Sequence, residues 1–175
     1  MTDDEFTRLV QTRLGVTADG KVGPATLAAL DKALPPSAPG FDAPPPVLTG
    51  WDARSLKALD GVQVDLVRVM ELARARSPVR FTVIEGLRTV ERQRQLVAQG
   101  ASKTMNSRHI TGHAVDIVPH RPDGNLAFDW PLYYQVAPVI KAAAKEIGVP
   151  ITWGGDWRSF PDGPHWELPP AKYPA

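Results

Sequence analysis

The amino-acid sequence predicts an α+β domain preceded by a small all-helical module. Two observations support this fold class. A proline-rich stretch at 35–50 separates a short N-terminal segment, 1–34, from a longer segment, 51–175. In the longer segment, apolar residues at helical spacing are mixed with short alternating stretches typical of strands, and no internal repeat is visible.

The N-terminal segment predicts two helices joined by a turn. Thr2 and Glu5 match a capping box, and apolar residues follow at helical spacing up to Gly15. Asp19-Gly20 indicates a turn, and Gly23-Pro24 is typical of the start of a second helix. So short a segment cannot bury a large core. From the pattern alone, a helical cap and a binding module are equally good interpretations.

The stretch 35–50 predicts an extended linker. Its prolines remove backbone hydrogen-bond donors and favour the polyproline II conformation. We therefore expect three parts: a helical module at 1–34, a linker at 35–50 and a larger domain at 51–175.

The larger domain predicts alternating helices and strands. Amphipathic spacing and helix-ending glycines predict helices at 59–75, 89–99 and 132–147. Alternation and short apolar runs predict strands at 79–84, 114–118, 151–153 and 165–168.

Composition excludes several classes of protein. The chain has no cysteine, which excludes disulfides, a cysteine-ligated zinc and a Cys–His hydrolase. A formal charge of +1 argues against a general nucleic-acid binder. No run approaches the ~18 apolar residues of a membrane span, and the acidic start at 1–5 is unlike a signal peptide, so we expect no export by the Sec pathway. Any metal would have to be bound by the four histidines and by carboxylates.

Three of the four histidines lie within 107–120. His109 and His113 are four residues apart, so the zinc-binding HExxH helix is one interpretation. It fails because Ile110 stands where the glutamate base should be, and because Thr111-Gly112 is poor helix material. His120 follows a proline and is expected at the surface.

A different set of ligands fits the pattern better. His109 lies just before the strand that starts at Ala114, and Asp116 lies on that strand. His165, on another predicted strand, would be the third ligand of a zinc site with one open position. Asp162, three residues earlier, could direct a carboxylate at the water in that position. A lone carboxylate within an apolar strand is costly, which favours a ligand role for Asp116.

Two separated motifs in this region resemble the M15 family of zinc peptidases. They are Ser107-x-His109-x-x-Gly112-x-Ala114-x-Asp116, and Trp153-Gly154-Gly155-Asp156-Trp157 followed by Asp162-x-x-His165. The family includes VanY-like D,D-carboxypeptidases, VanX-type dipeptidases and L-alanyl-D-glutamate endopeptidases of phage endolysins. The resemblance implies a small antiparallel sheet with flanking helices. It also implies zinc bound by His109, Asp116 and His165, with Asp162 as general base.

The resemblance assigns further residues to the site. Arg88, in Glu85-Gly86-Leu87-Arg88-Thr89, matches the arginine that steadies the substrate carbonyl and the developing oxyanion, and Ser107 matches a position beside the substrate. We expect His113 at the rim of the site, where it could contact substrate.

Several of these residues have structural alternatives. His109 could be a hydrogen-bonded core histidine, Arg88 could pair with Glu85 or Glu91, and Glu167 could orient His165 or simply end its strand. Three tryptophans are expected in the core and the groove walls rather than as sugar-stacking platforms: Trp153, Trp157 and Trp166.

The N-terminal segment resembles the peptidoglycan-binding type 1 module. The resemblance depends on Val10-Gln11, on the stretch 14–26 and on Ala29-Leu30. The turn Asp19-Gly20-x-x-Gly23-Pro24-x-Thr26 is its most recognisable part.

Together, the two resemblances imply an endolysin-like peptidoglycan hydrolase that cleaves the L-Ala–D-Glu bond of the stem peptide with zinc-activated water. The alternatives are a D-Ala-D-Ala carboxypeptidase of the same family and a non-catalytic wall-binding protein. The implied partner is the bacterial wall, with no nucleic acid and no membrane span. We expect a monomer that is made in the cytoplasm and reaches the wall by holin-type release.

Overall fold

The computed structural model of the chain describes residues 2–21, 25–26, 29 and 50–174. The chain divides into two compact units, 1–41 and 42–175. The predicted linker at 35–50 lies outside the described residues, apart from Gly50.

The N-terminal unit contains the predicted first helix and turn. Helix α1, Asp3–Leu14, begins with the Thr2–Glu5 capping box and ends at Gly15, whose φ is +71°. Ala25, Thr26 and Ala29 are helical, as the second predicted helix requires, while Leu27, Leu30 and Leu34 lie outside the described residues.

A buried glutamine holds the turn against α1. The Gln11 side chain is 1% exposed. Its amide nitrogen lies 2.8 Å from Asp19 Oδ1 and 2.9 Å from Thr26 Oγ1, and its oxygen accepts a 2.9 Å hydrogen bond from the Gly20 backbone. Buried amide groups are costly unless their hydrogen bonds are made, so this network specifies the conformation of the turn.

The second unit is an α+β fold, as predicted. Its helices are α2 (Ala53–Leu59), α3 (Val64–Arg76), α4 (Val90–Ala98) and α5 (Trp130–Glu146). Its strands are β1 (Phe81–Glu85), β2 (Ala114–Pro119), β3 (Thr152–Trp153) and β4 (His165–Glu167). The strands form one antiparallel sheet in the order β1-β2-β4-β3. None of the described helices is long and apolar enough to cross a membrane.

One helix prediction was wrong. Residues 59–75 do not form a single helix, because Leu59 ends α2 and α3 begins only at Val64. Gly61 between them has a φ of +71°, a conformation that interrupts a right-handed helix. Helix α2 was not predicted; it starts where the Asp52 side chain accepts a hydrogen bond from the Ser55 backbone. Within 50–174, the other predicted helices and strands begin and end within two residues of those observed.

The core lies on one face of the sheet, under α3 and α5. Alternation along β2 directs Val115 and Ile117 into this core, and it places Asp116 on the opposite face. The fully buried apolar residues around them include Leu66, Val69, Met70, Ile140, Trp166 and Leu168. One face of the sheet therefore supplies stability, and the other is available for a polar site.

Candidate metal centre and active site

An open cavity of about 340 Å³ lies on the polar side of the sheet. Most of the residues that the sequence assigned to the site line it: Arg88, Ser107, His109, Asp116, Asp162 and His165. The fold thus brings together side chains that are up to 77 positions apart in the sequence (Arg88 to His165).

His109, Asp116 and His165 form a group that could hold a metal ion. His109 belongs to a short 3₁₀ turn, Arg108–Thr111, while Asp116 and His165 are directly paired residues of β2 and β4. The Asp116 carboxylate lies 3.4 Å from His109 Nε2 and 3.3 Å from His165 Nδ1, and these two nitrogens are 3.3 Å apart. Two imidazoles and a carboxylate, converging beside an open cavity, fit a catalytic metal site that leaves one position open for water.

Both imidazoles are oriented by hydrogen bonds on their far sides. His109 Nδ1 donates to the Gly86 carbonyl at 2.8 Å, and His165 Nε2 donates to the Glu167 carboxylate at 3.1 Å. These bonds direct His109 Nε2 and His165 Nδ1 at Asp116. Metal-binding histidines ordinarily have such partners. Of the two interpretations of Glu167, the contact favours orientation of His165.

The pKa values of Asp116 and His165 are both shifted toward the charged forms. Burial would raise the pKa of Asp116, but the charges and hydrogen bonds of His109 and His165 outweigh it and hold that pKa well below its usual range. Burial would lower the pKa of His165, but hydrogen bonds to Asp116 and Glu167 outweigh it and raise the pKa to about 9. In the protein alone, His165 is therefore protonated at neutral pH, and a metal ion must displace that proton.

Asp162 reaches the cavity from the turn before β4. Its backbone N–H donates to Gly154 at 3.0 Å, and its carbonyl accepts from the His165 backbone at 3.3 Å. Burial, and then the negative charge of Asp116, raise the pKa of the Asp162 carboxyl. Like charges in a partly dry site disfavour ionisation in this way.

Gly154 is a site residue whose role the sequence analysis missed. A Cβ at this position would lie 2.6 Å from the Asp162 carbonyl oxygen and 3.0 Å from the Cβ atoms of Asp162 and His165. Only glycine allows this approach without displacing Asp162. The Trp153–Trp157 motif contained the signal, but only the folded chain shows what the glycine contacts.

Arg88 lines the cavity, as its predicted role in the site requires. It also forms the ion pair with Glu85 that was considered as a purely structural role. Its guanidinium donates to both Glu85 carboxylate oxygens, at 2.8 and 2.5 Å, and lies 3.5 Å from Asp116. A bulge in β1 puts Glu85 opposite Asp116 in the sheet register. Glu91, the other proposed partner, pairs with Arg94 instead.

Gln93 is a second residue that the sequence analysis missed. It is fully buried on α4. Its side-chain oxygen accepts a 2.7 Å hydrogen bond from Arg88, and its nitrogen donates to Ser102 Oγ and to the Thr104 carbonyl at 2.8 and 2.7 Å. Gln93 thus connects Arg88 to the loop that forms the rim of the cavity. A polar residue on the inner face of a helix was the only sequence signal.

The structure separates Ser107 from His113. Ser107 lines the cavity, and its hydroxyl accepts a 3.4 Å hydrogen bond from the His109 backbone. His113 is not one of the described residues that line the cavity. Its Nδ1 lies 2.9 Å from Thr111 Oγ1, and its ring is 6.4 Å from that of Tyr173. A contact between His113 and substrate stays a prediction.

The remaining predictions concern glycine, histidine and tryptophan. Gly112 has a φ of +71°, and an added Cβ would lie 2.3 Å from the Gly61 carbonyl, so it packs against the α2–α3 turn. His120 is half-buried, with its ring nitrogens 2.9 Å from Thr82 Oγ1 and 3.0 Å from the Gly124 carbonyl. Trp153 and Trp166 stack in the core, while Trp157 forms a cavity wall 5.1 Å from the His165 ring.

Comparison with known proteins gives a consistent result. The sequence model of the phage L-alanyl-D-glutamate peptidase family matches residues 50–168. The L-alanyl-D-glutamate peptidase of Escherichia phage T5 is 34% identical over 62% of this chain and 81% of its own length. That of Listeria phage A118 is 38% identical over 51% of this chain and 31% of its own.

A solved structure is also similar to this chain. The L-Ala D-Glu endopeptidase ChiX of Serratia marcescens superimposes with a TM-score of 0.67 at 49% sequence identity, covering 70% of this chain and 92% of that one. Both the family match and the structural match cover most of the chain, and the family match includes every residue of the predicted site. The chain therefore belongs to the phage L-alanyl-D-glutamate peptidase family.

Proposed function

We propose that this protein is a zinc-dependent peptidoglycan hydrolase that cleaves the bond between L-alanine and D-glutamate in the stem peptide. The observation that carries the proposal is the convergence of His109, Asp116 and His165 in a cavity that Asp162 and Arg88 also line. A purely structural metal site would not require those last two residues. Relatives that are 34–49% identical bear the name of this activity.

The two imidazoles and the carboxylate would hold the zinc ion. When bound, zinc would supply Lewis acidity at the scissile carbonyl and would lower the pKa of a water molecule to about 7. Gly86 and Glu167 keep the ligand nitrogens directed at the site. Neutral imidazole and carboxylate ligands suit zinc, and they also suit other divalent ions.

Asp162 is the general base of the proposed reaction. Its carboxylate takes the proton of the attacking water and afterwards donates it to the leaving amine of D-glutamate. Its raised pKa is consistent with this exchange, because a base must both accept and release the proton. Gly154 keeps Asp162 close to His165.

Arg88 stabilises the negative charge that develops on the carbonyl oxygen. A buried guanidinium stabilises that charge more strongly than it would in water, because the site is partly shielded from solvent. Glu85 and Gln93 fix its orientation before substrate arrives. This arrangement limits the reorganisation needed in the transition state.

Mass spectrometry of purified peptidoglycan after incubation tests the proposed function. New peptides with N-terminal D-glutamate are the expected products. Loss of terminal D-alanine would instead indicate the D,D-carboxypeptidase, and a bound wall without products would indicate a non-catalytic binder. Asp162→Asn serves as the inactive control in the same digestion.

Replacing Gln93 by leucine is expected to lower turnover by about 10- to 100-fold, the usual cost of losing a residue that orients a site group. The variant leaves the Arg88 guanidinium with one fewer partner and releases the loop at Ser102 and Thr104. Gln95→Leu is the matched control, since Gln95 is exposed on the same helix. Steady-state kinetics with a soluble stem peptide measure the effect. Equal kcat in the two variants would show that Gln93 has no positioning role.

We further propose that residues 1–34 bind the cell wall and that 35–50 is the linker to the catalytic unit. The resemblance of the 14–26 stretch to a wall-binding module supports this, as does the Gln11 network that shapes its turn. We also infer that the protein acts as a monomer on the wall after release from the cytoplasm through a holin-type opening. The phage relatives support this route.

A truncated chain that begins at Thr49 is expected to hydrolyse soluble muropeptides at the full-length rate. It should no longer co-sediment with intact sacculi, because tethering raises the local substrate concentration without changing the chemistry. Pelleting of both proteins with sacculi, quantified by gel, measures the difference. Undiminished co-sedimentation of the truncated chain would limit the N-terminal unit to a structural role.

A further inference from the structure

The exposed aromatic side chains within 50–174 lie in one place. Phe128, Trp130, Tyr134 and Phe160 are 66%, 37%, 59% and 54% exposed, and every other phenylalanine, tryptophan and tyrosine of that range is less exposed. Phe128, Trp130 and Phe160 line one pocket, and Tyr134 lies against Trp130 with ring centroids 5.6 Å apart. We call these four residues the aromatic shelf. Clustered exposed apolar surface of this kind is typical of binding sites.

The aromatic shelf is continuous with the catalytic cavity. Its pocket, of about 310 Å³, shares Ala101, Phe160 and Asp162 with that cavity. A substrate that reaches the proposed base at Asp162 can therefore extend onto the aromatic shelf without leaving the protein surface.

The two compartments differ in charge. The catalytic cavity is lined by three cations, Arg88, Lys103 and Arg108, and by four carboxylates, whereas Asp162 is the one charged residue among the described residues that line the pocket of the shelf. Arg108 is committed to the carbonyls of Leu168 and Tyr173. Within the described residues, no carboxylate lies within ion-pair distance of Lys103, whose ammonium is 5.9 Å from the Phe160 ring. Lys103 is therefore the cation in the cavity that can pair with an anionic part of a substrate, while the aromatic shelf suits a neutral part.

The substrate is divided in the same way at its scissile bond. D-glutamate has two carboxyl groups. One is in the amide bond to the next residue of the stem peptide, and the other is a free carboxylate. The amino group of L-alanine is joined through a lactyl group to an uncharged N-acetylated amino sugar. The C–H faces of a sugar ring stack well on aromatic rings, whose faces are electron-rich.

We propose that the aromatic shelf binds the N-acetylmuramic acid residue that carries the stem peptide, while D-glutamate lies in the catalytic cavity with its carboxylate near Lys103. The inference rests on the proposed function, because it takes the L-Ala–D-Glu bond as the bond cleaved. It adds a saccharide subsite on the acyl side of that bond, which makes the enzyme selective for stem peptides still attached to glycan.

The test compares two soluble substrates that share the scissile bond. One is N-acetylmuramoyl tetrapeptide, and the other is the same tetrapeptide with an N-acetyl group in place of the sugar, which keeps the alanine nitrogen an uncharged amide. For the full chain we expect kcat/KM to be about tenfold higher with the sugar. In Phe128→Ala the ratio of the two values should fall toward one. Leu56→Ala, which removes exposed apolar surface on α2, should leave the ratio unchanged.

Equilibrium binding gives a second measurement. Calorimetric titration of the Asp162→Asn protein with the two substrates should show the same preference for the sugar, and Phe128→Ala in that background should remove it. Equal kcat/KM for both substrates in the full chain would overturn the saccharide subsite, while cleavage of the N-acetyl peptide would still support the proposed function. Failure to cleave either substrate at L-Ala–D-Glu would overturn both.

Discussion

Asp162→Asn is expected to lower turnover by about 10²- to 10⁴-fold, the range that general acid–base catalysis contributes. Asparagine preserves the size and hydrogen-bonding capacity of the side chain but cannot accept a proton at neutral pH. The backbone contacts of residue 162 with Gly154 and His165 do not depend on the carboxylate, so the fold and the metal content should be retained. Hydrolysis of a soluble stem peptide, with metal content measured by mass spectrometry, checks both parts.

Other roles for Asp162 give other results. A parallel fall in zinc content would make it a fourth metal ligand, and a fall in thermal stability with normal turnover would restrict it to shaping the turn. Glu85→Gln belongs in the same experiment, because Glu85 is the carboxylate beside Arg88. Full activity of Asp162→Asn, together with inactivity of Glu85→Gln, would transfer the role of base to Glu85.

His165→Ala is expected to abolish both zinc binding and activity. The intact chain should hold one zinc ion, and the variant would keep only two of the three protein ligands that catalytic zinc sites use. Metal content after dialysis is the measurement. His120→Ala is the matched control, because His120 contacts Thr82 and Gly124 outside the ligand group and its loss should leave zinc in place. Equal zinc in His165→Ala and the intact chain would show that the ligands are wrongly assigned.

Zinc binding should also depend on pH with a defined sign. The raised pKa of His165, about 9, means that a proton occupies the ligand below that pH and must leave when metal binds. Apparent zinc affinity should therefore decrease steadily as pH falls from 9 toward acid values. Titration with a competing zinc indicator at several pH values measures this decrease, and a constant affinity would contradict the ligand role of His165.

The sequence predicted the strands well, because each strand depends on a local pattern. Alternation along β2 also predicts which face Asp116 occupies, but only the two separated motifs grouped it with His109 and with His165, which is 49 positions away. The break at Gly61 was missed because apolar residues keep helical spacing across it. Periodicity records which residues are buried, but it does not show where the backbone leaves the helical conformation.

The residues that support the site could not be predicted in the same way. Gln93 and Gly154 act through contacts with chain segments that lie 8 to 11 residues away or across a turn, and neither residue type suggests a chemical role. Arg88 shows a related difficulty, because the sequence presents its ion pair with Glu85 and its place in the cavity as alternatives. In the folded chain, the ion pair is what holds the guanidinium at the cavity wall.

The position of two of the three ligands on the middle strands of the sheet has a thermodynamic consequence. Asp116 and His165 belong to strands that are hydrogen-bonded to neighbouring strands on both sides. Each imidazole also makes a hydrogen bond through the ring nitrogen that faces away from Asp116. The conformational entropy lost in bringing the three ligands together is thus lost when the sheet and the 3₁₀ turn of His109 form, not when a metal ion arrives. In small zinc domains, by contrast, much of the free energy of metal binding is consumed in folding the chain. Here little of that free energy is used to order the chain, so more of it is available as affinity for the metal ion.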